Sequence, residues 1–160
     1  MTKKNIALVA HDNRKKDLLE WVEWNREILT GHHLVCTGTT GRFIQNLLKQ
    51  WDDTAANTEI TTLKSGPLGG DQQLGALIAE GKIDIFVFLW DPMEPQPHDV
   101  DVKALLRLAA LYNIPTASNR STADFIISSP LFNKNYKPMI KDYKRYLLRE
   151  INIPYECDKF

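Results

Sequence analysis

The stretch IDIFVFLWD, Ile83 to Asp91, constrains the fold more than any other part of the chain. Its apolar core is too short for a helix and rich in β-branched and aromatic side chains, and it stops at an acid. That is the pattern of a strand buried on both faces, which is how strands sit in a parallel sheet. NIALVAHD, Asn5 to Asp12, repeats the pattern, and HLVCTG, EITTLKSG and IPTASN supply three weaker strands.

Helical patterns separate them. Leu18, Leu19, Val22, Ile28 and Leu29 form an imperfect stripe over Lys16–Leu29, with Gly31 as its expected stop. GRFIQNLLKQW, DQQLGALIAEG and DVKALLRLAALYN follow, then TADFIISS and the mixed-charge KDYKRYLLREIN. Alternation of this kind predicts a parallel five-stranded α/β sheet with helices on both faces, because right-handed crossovers carry each helix back over the sheet. A single domain over residues 1–160 is expected, with a C-terminal helix and tail from about 141. Gln50 to Glu59 reads as an exposed loop. Trp21, Trp24, Trp90 and Tyr112 read as core or contact surface rather than as a cofactor box.

Composition narrows the partners. Twenty basic residues against twenty acidic ones leave no net charge, and no basic run could replace counterions along a phosphate backbone, so nucleic acid is not expected. No apolar stretch approaches the roughly 18 residues of a membrane span, and His11 and Asp12 come too early for a signal peptide. Cys36 and Cys157 are far apart without metal-ligand spacing, as free thiols in the reducing cytoplasm would be.

Ligands of such sheets bind outside the carboxyl ends of the strands. Polar residues collect at the corresponding places: His11 and Asp12, Thr37 to Gly41, Ser65 to Asp71, Asp91 to Asp101, and Asn119 to Thr122. TGTTG offers hydroxyls and flexible backbone at a helix N-terminus, where an anion is favoured; the alternative is that Thr39 or Thr40 only caps the helix. SGPLGG, with Ser65 and Gly66, lets the backbone approach a ligand closely, or is merely a turn. Neither usual nucleotide-binding glycine motif is present, so a small phosphorylated ligand fits better than ATP or NAD.

Lys15 could neutralise phosphate at the same rim, or belong with Arg14 and Lys16 to a solvated basic turn. Asp71 stands at a helix start. It either caps that helix, which would lower its pKa, or faces a water-poor pocket as a base toward a carbon acid, which would raise it. WDPMEPQPHDVD carries four acids and His98 on a loop stiffened by three prolines. His98 flanked by acids can polarise a carbonyl or move a proton, while Asp99 or Asp101 can cap the next helix. With one histidine and no cysteine nearby, a dedicated metal site is not expected.

Together VAHD, TGTTG, SGPLGGDQQLGA, FLWDPM, PHDVDVKALLRLA and NIPTASNRSTADFI resemble the methylglyoxal synthase family, and the likeness runs from Asn5 to Phe132. The resemblance implies a flavodoxin-like α/β subunit, assembled as a homohexamer, that converts dihydroxyacetone phosphate to methylglyoxal and inorganic phosphate with no cofactor. It implies Asp71 as catalytic base and His98 at the substrate oxygens, with Asp91 and Asp101 shaping the proton network. It also implies His11, Lys15, Thr37, Gly38, Thr39, Thr40, Ser65 and Gly66 as substrate-binding positions, with Asp12 beside the site. Val100 replaces a proline common in the family's PHDPD. The family also places an arginine near the C-terminus that reaches a neighbouring subunit's phosphate site, where inorganic phosphate regulates; Arg145 and Arg149 are the candidates. Two rivals would leave the reaction behind: a non-catalytic ligand-binding module, like the regulatory domain of carbamoyl-phosphate synthetase, and a metal-dependent phosphatase built on the acidic loop.

Overall fold

A computed structural model describes residues 2–51, 55, 57–95 and 97–148, without the side chains of residues 145 and 147. Five strands form one parallel sheet: β1 Asn5–Ala10, β2 His33–Cys36, β3 Ile60–Thr62, β4 Ile85–Leu89 and β5 Thr116–Ala117, in the order β3-β2-β1-β4-β5. This is the expected doubly wound, flavodoxin-like class. The order reverses between β1 and β4, which pair in register from Ile6 opposite Ile85 to Ala10 opposite Leu89. A crevice at the carboxyl ends of those two strands is where such sheets take ligands.

The continuous apolar strands bury both faces. Ile6, Leu8 and Ala10 of β1 pack with Leu18 and Val22 of α1 (Lys15–Trp24), Ile44 of α3 (Gly38–Leu48) and Ala123 of α6 (Arg120–Ser128). Ala7 and Val9 turn the other way, toward Leu74 of α4 (Gly70–Ala79) and Leu105 of α5 (Asp99–Leu111). Each fully buried Leu, Ile or Phe is worth about 1.5–3 kcal/mol of burial, so the two layers hold the strand ends rigidly under the site.

Several details depart from the sequence reading. The first helix is interrupted: Asn25, whose side-chain amide donates to the Trp21 carbonyl at 2.9 Å, separates α1 from a single turn, α2 (Arg26–Leu29). α3 begins at Gly38, so the TGTTG motif forms its cap and first turn instead of a loop before it. Ala55, expected in an exposed loop, is buried in the core; residues 52–54 and 56 lie outside the described residues. The last predicted helix is a single described turn, α7 (Lys144–Leu147), and Arg149 and Cys157 lie outside the described residues. Among the described residues no helix is long and apolar enough to cross a membrane. Cys36, at the end of β2, is fully buried, and burial pushes its thiol up to about 12.

Candidate active site

His11 follows β1 at the crevice. Its Nδ1 accepts the backbone N–H of Asp91 at 3.2 Å, a bond that joins the ends of β1 and β4. A ring nitrogen that accepts carries no proton, so the proton sits on Nε2. That nitrogen is buried and has no partner among the described residues, while the ring lines the cavity. Burial, and then the nearby His98, lower the His11 pKa below the ordinary imidazole value. His11 is therefore a neutral donor aimed at whatever occupies the crevice.

The β2 end builds an anion cradle. Thr37 is the N-cap of α3 in extended backbone, yet no side chain caps this helix. The capping alternative for Thr39 and Thr40 is thereby set aside. The Thr40 hydroxyl is instead buried without a partner beside unpaired N–H groups at the positive end of the helix. Gly38 joins this loop to the next: its N–H donates to the Lys64 carbonyl at 3.1 Å, and a Cβ there would meet the Ser65 nitrogen at 2.9 Å.

After β3 the chain turns tightly. The Ser65 carbonyl accepts from Leu68 at 3.0 Å and from Gly70 at 2.9 Å, and Gly69 takes a left-handed conformation (φ 96°) that only glycine adopts freely. This turn makes Gly69, not Asp71, the N-cap of α4. Asp71 sits in the first turn with its side chain only 4% exposed and its Oδ2 without a hydrogen-bond partner among the described residues. Burial raises its pKa, and the charge of Asp101 adds to the rise against the opposing influence of His98 and His11. The sequence left a capping acid and a buried base as alternatives; the structure sets the N-cap role aside and leaves a buried carboxylate facing the cavity.

His98 faces it. Nε2 of His98 lies 3.8 Å from Oδ2 of Asp71, and a Cβ on Gly66 would stand 3.0 Å from both atoms. A glycine at 66 therefore keeps open the space between the acid and the imidazole. No side chain caps α5, so Asp99 and Asp101 do not play the capping role considered for them. Lys15 lines the cavity and pairs with exposed Asp12, whose carboxyl it holds below its ordinary pKa. Lys16, by contrast, points into solvent toward Glu20.

The cavity measures about 200 Å³, too small for a dinucleotide. His11, Lys15, Thr37, Thr39, Thr40, Ser65, Gly66, Asp71 and His98 line it, with Asp12 at its edge. Gly38 does not; it holds the loop from behind. Asp91 is buried away from the cavity, where its carboxylate accepts from Asn13 at 3.2 Å and from the Met93 N–H at 3.1 Å. Asp101 borders the opposite side of Asp71, in a groove with Gly75 and Leu105. Asn119–Thr122 forms no part of the cavity: the Asn119 side chain caps α6 by accepting the Thr122 N–H at 2.9 Å.

An MGS-like domain model matches residues 17–118. A methylglyoxal synthase from Maridesulfovibrio salexigens is 57% identical over 92% of this chain and 98% of its own, and one from Oleidesulfovibrio alaskensis is 58% identical over 91% and 95%. The chain belongs to the methylglyoxal synthase family. The crystal structure of methylglyoxal synthase from Elizabethkingia anophelis agrees in fold, with a TM-score of 0.84 at 51% identity over 93% of each chain.

Some parts of this methylglyoxal synthase site escaped the sequence reading. Phe88 and Val102 form an apolar wall beside the acid, and their signal was their place at the end of β4 and the start of α5. Asn13 ties the β4 loop down through both Asp91 and Glu94, and nothing in its sequence neighbourhood marked it. The field of Asp101 on Asp71 carries a testable consequence. Asp101→Asn removes a like charge, so the Asp71 pKa should fall toward the ordinary carboxylate value. The acid limb of kcat/KM against pH should then move to lower pH; a limb that does not move would deny the coupling.

Proposed function

We propose that the protein is a carbon–oxygen lyase that converts dihydroxyacetone phosphate to methylglyoxal and inorganic phosphate. The observation that carries this reading is the buried, unpartnered carboxylate of Asp71 facing His98 across Gly66, beside a helix N-terminus lined with free hydroxyls.

In this reading Thr37, Thr39, Thr40, Ser65 and Gly66 hold the phosphate at the positive end of α3, and Lys15 offsets part of its charge. Asp71 takes a proton from the hydroxymethyl carbon, and the electron pair of that C–H bond becomes the enediolate. The developing oxyanion at the former carbonyl meets the Nε2–H of His11 and the ring of His98, donors set in place before the reaction. The enediolate electrons then break the bond from carbon to the phosphate oxygen. Phosphate leaves and takes up the proton that the neighbouring hydroxyl gives up as it becomes the aldehyde, and the remaining enolate takes back the proton held by Asp71, at its methylene carbon, to give methylglyoxal.

Elimination competes with simple reprotonation to the isomeric aldehyde. It is favoured when the breaking bond stands perpendicular to the enediolate plane, so the angle at which the α3 cradle holds the ester selects the product. Asp91 contributes by position: its side chain fastens the loop whose backbone N–H fixes the His11 tautomer. No step calls on a metal or an organic cofactor.

The deciding assay incubates purified protein with dihydroxyacetone phosphate and EDTA and measures phosphate together with a trapped dicarbonyl. Equal yields of the two are expected. Phosphate released with dihydroxyacetone would replace this reading with a phosphatase, and no release at all would leave a binding module. The family resemblance further supports a cytoplasmic homohexamer, built from a single domain and inhibited by phosphate. Sedimentation tests the assembly, and strictly hyperbolic inhibition by phosphate would argue against coupling between subunits.

A further inference from the structure

The charges around the cavity are divided by side. On the β4–α5 side Asp71 lines the cavity, and behind it the β4–α5 connection and the first turn of α5 carry Asp91, Glu94, Asp99 and Asp101, none of which lines it. On the β2–β3 side no acid among the described residues lines the cavity; a groove continues outward from it, sharing Thr39 and Ser65 with it, and carries Arg42 and Lys64. Both are exposed, and neither makes a side-chain ion pair or hydrogen bond among the described residues. Their placement is set by the fold: Arg42 lies one turn into α3 beyond Gly38, and Lys64 follows β3 at the point where its carbonyl fastens Gly38.

The inner site needs such charges. A phosphate monoester brings close to two negative charges, while the hydroxyls of the cradle are neutral and Lys15, the one lysine or arginine among the described residues that lines the cavity, is already paired with Asp12. The acids opposite repel the same phosphate. From the proposed function and this asymmetry, we infer that Arg42 and Lys64 form an outer capture station for phosphate monoesters, drawing the dianion to the β2–β3 side and so delivering the carbonyl end toward Asp71. A ligand entering in reverse would bring its phosphate against the Asp71 carboxylate and toward the acid-bearing side of the crevice.

Two measurements test this, one independent of turnover. Arg42→Gln and Lys64→Gln should each lower kcat/KM for dihydroxyacetone phosphate about fivefold at low salt, and the double variant about tenfold or more. These losses should shrink as salt is raised to about 0.5 M, where screening reaches only a few ångströms. Lys137→Gln, the same charge change at an exposed site at the far end of the sheet, should match the parent. Binding of glycerol 3-phosphate, which has no carbonyl to react, is measured by calorimetry on the same proteins and should weaken in parallel. Unchanged affinity and unchanged salt dependence in the double variant would overturn the inference, as would failure of the parent protein to bind glycerol 3-phosphate at low salt. Failure of turnover with binding still weakened by the substitutions would overturn the proposed reaction and leave the capture station standing.

Discussion

Replacing Asp71 by asparagine should lower turnover about 100-fold or more and at the same time make the protein more heat-resistant at neutral pH. The first effect follows from losing the group proposed to take the proton from carbon, since an amide oxygen is far too weak a base. The second follows from the direction of the Asp71 shift. Burial raises its pKa in the folded chain above the ordinary value of about 4, so the folded state holds this proton more tightly than the unfolded state. Stability contributed by that proton is present at low pH and is lost as pH rises from the unfolded value through the folded one. Above that window the wild type carries a buried charge with an unpartnered oxygen, and the asparagine variant does not. The gain in Tm should therefore appear at pH 8 and vanish below about pH 4. Near-normal turnover would remove Asp71 from the base role; a Tm difference independent of pH would mean that its charge is not what destabilises the fold.

Gly70→Ala should be the most damaging single-methyl change in the site. A Cβ at this position would lie 2.0 Å from the Lys64 carbonyl oxygen, which is backbone and cannot swing aside. The same carbonyl accepts the Gly38 N–H, so moving it also loosens the phosphate cradle on the neighbouring strand end. We expect a loss of about 3 kcal/mol or more, above the middle of the range for overpacking, read as a lower midpoint in urea unfolding. Gly66→Ala makes the useful contrast. The nearest atoms to its methyl would be side-chain atoms, the Asp71 carboxylate and the His98 ring, so turnover should collapse with a much smaller change in midpoint. Equal unfolding midpoints for the two variants would show that the Lys64 contact relaxes at little cost.

The strands were legible because each is buried on both faces and reads as an uninterrupted apolar run, as in Ile85–Leu89. Breaks that depend on one side chain were not. The amide of Asn25 ends α1 by a local bond to Trp21, and no periodicity marks it. The site residues were legible through motifs that sit at strand ends, where the fold brings them together. The placement of Asp71 was not legible from spacing alone, because a capping acid and a buried one have the same spacing in sequence, and only the family resemblance favoured the second. What separates them is the left-handed turn at Gly69, which shifts the helix start by two residues and leaves the carboxylate facing inward. The meeting of Gly38 with Ser65, and of Gly70 with Lys64, joins loops from different strands and exists only in three dimensions. Arg42 and Lys64 were passed over because their meaning comes from the acids across the cavity, not from their neighbours in the chain.

The fully buried Cys36 has a consequence for a protein whose proposed product is an electrophile. Thiolates attack the carbonyl carbons of methylglyoxal, and a thiol with a pKa of about 12 is ionised at neutral pH only to about one part in 10⁵. Cys36 immediately precedes the hydroxyl-lined end of α3, so an adduct there would wedge apart the elements that grip the ester. Packing this sulfur out of reach would give the folded chain a built-in tolerance, at that position, of the electrophile it is proposed to release.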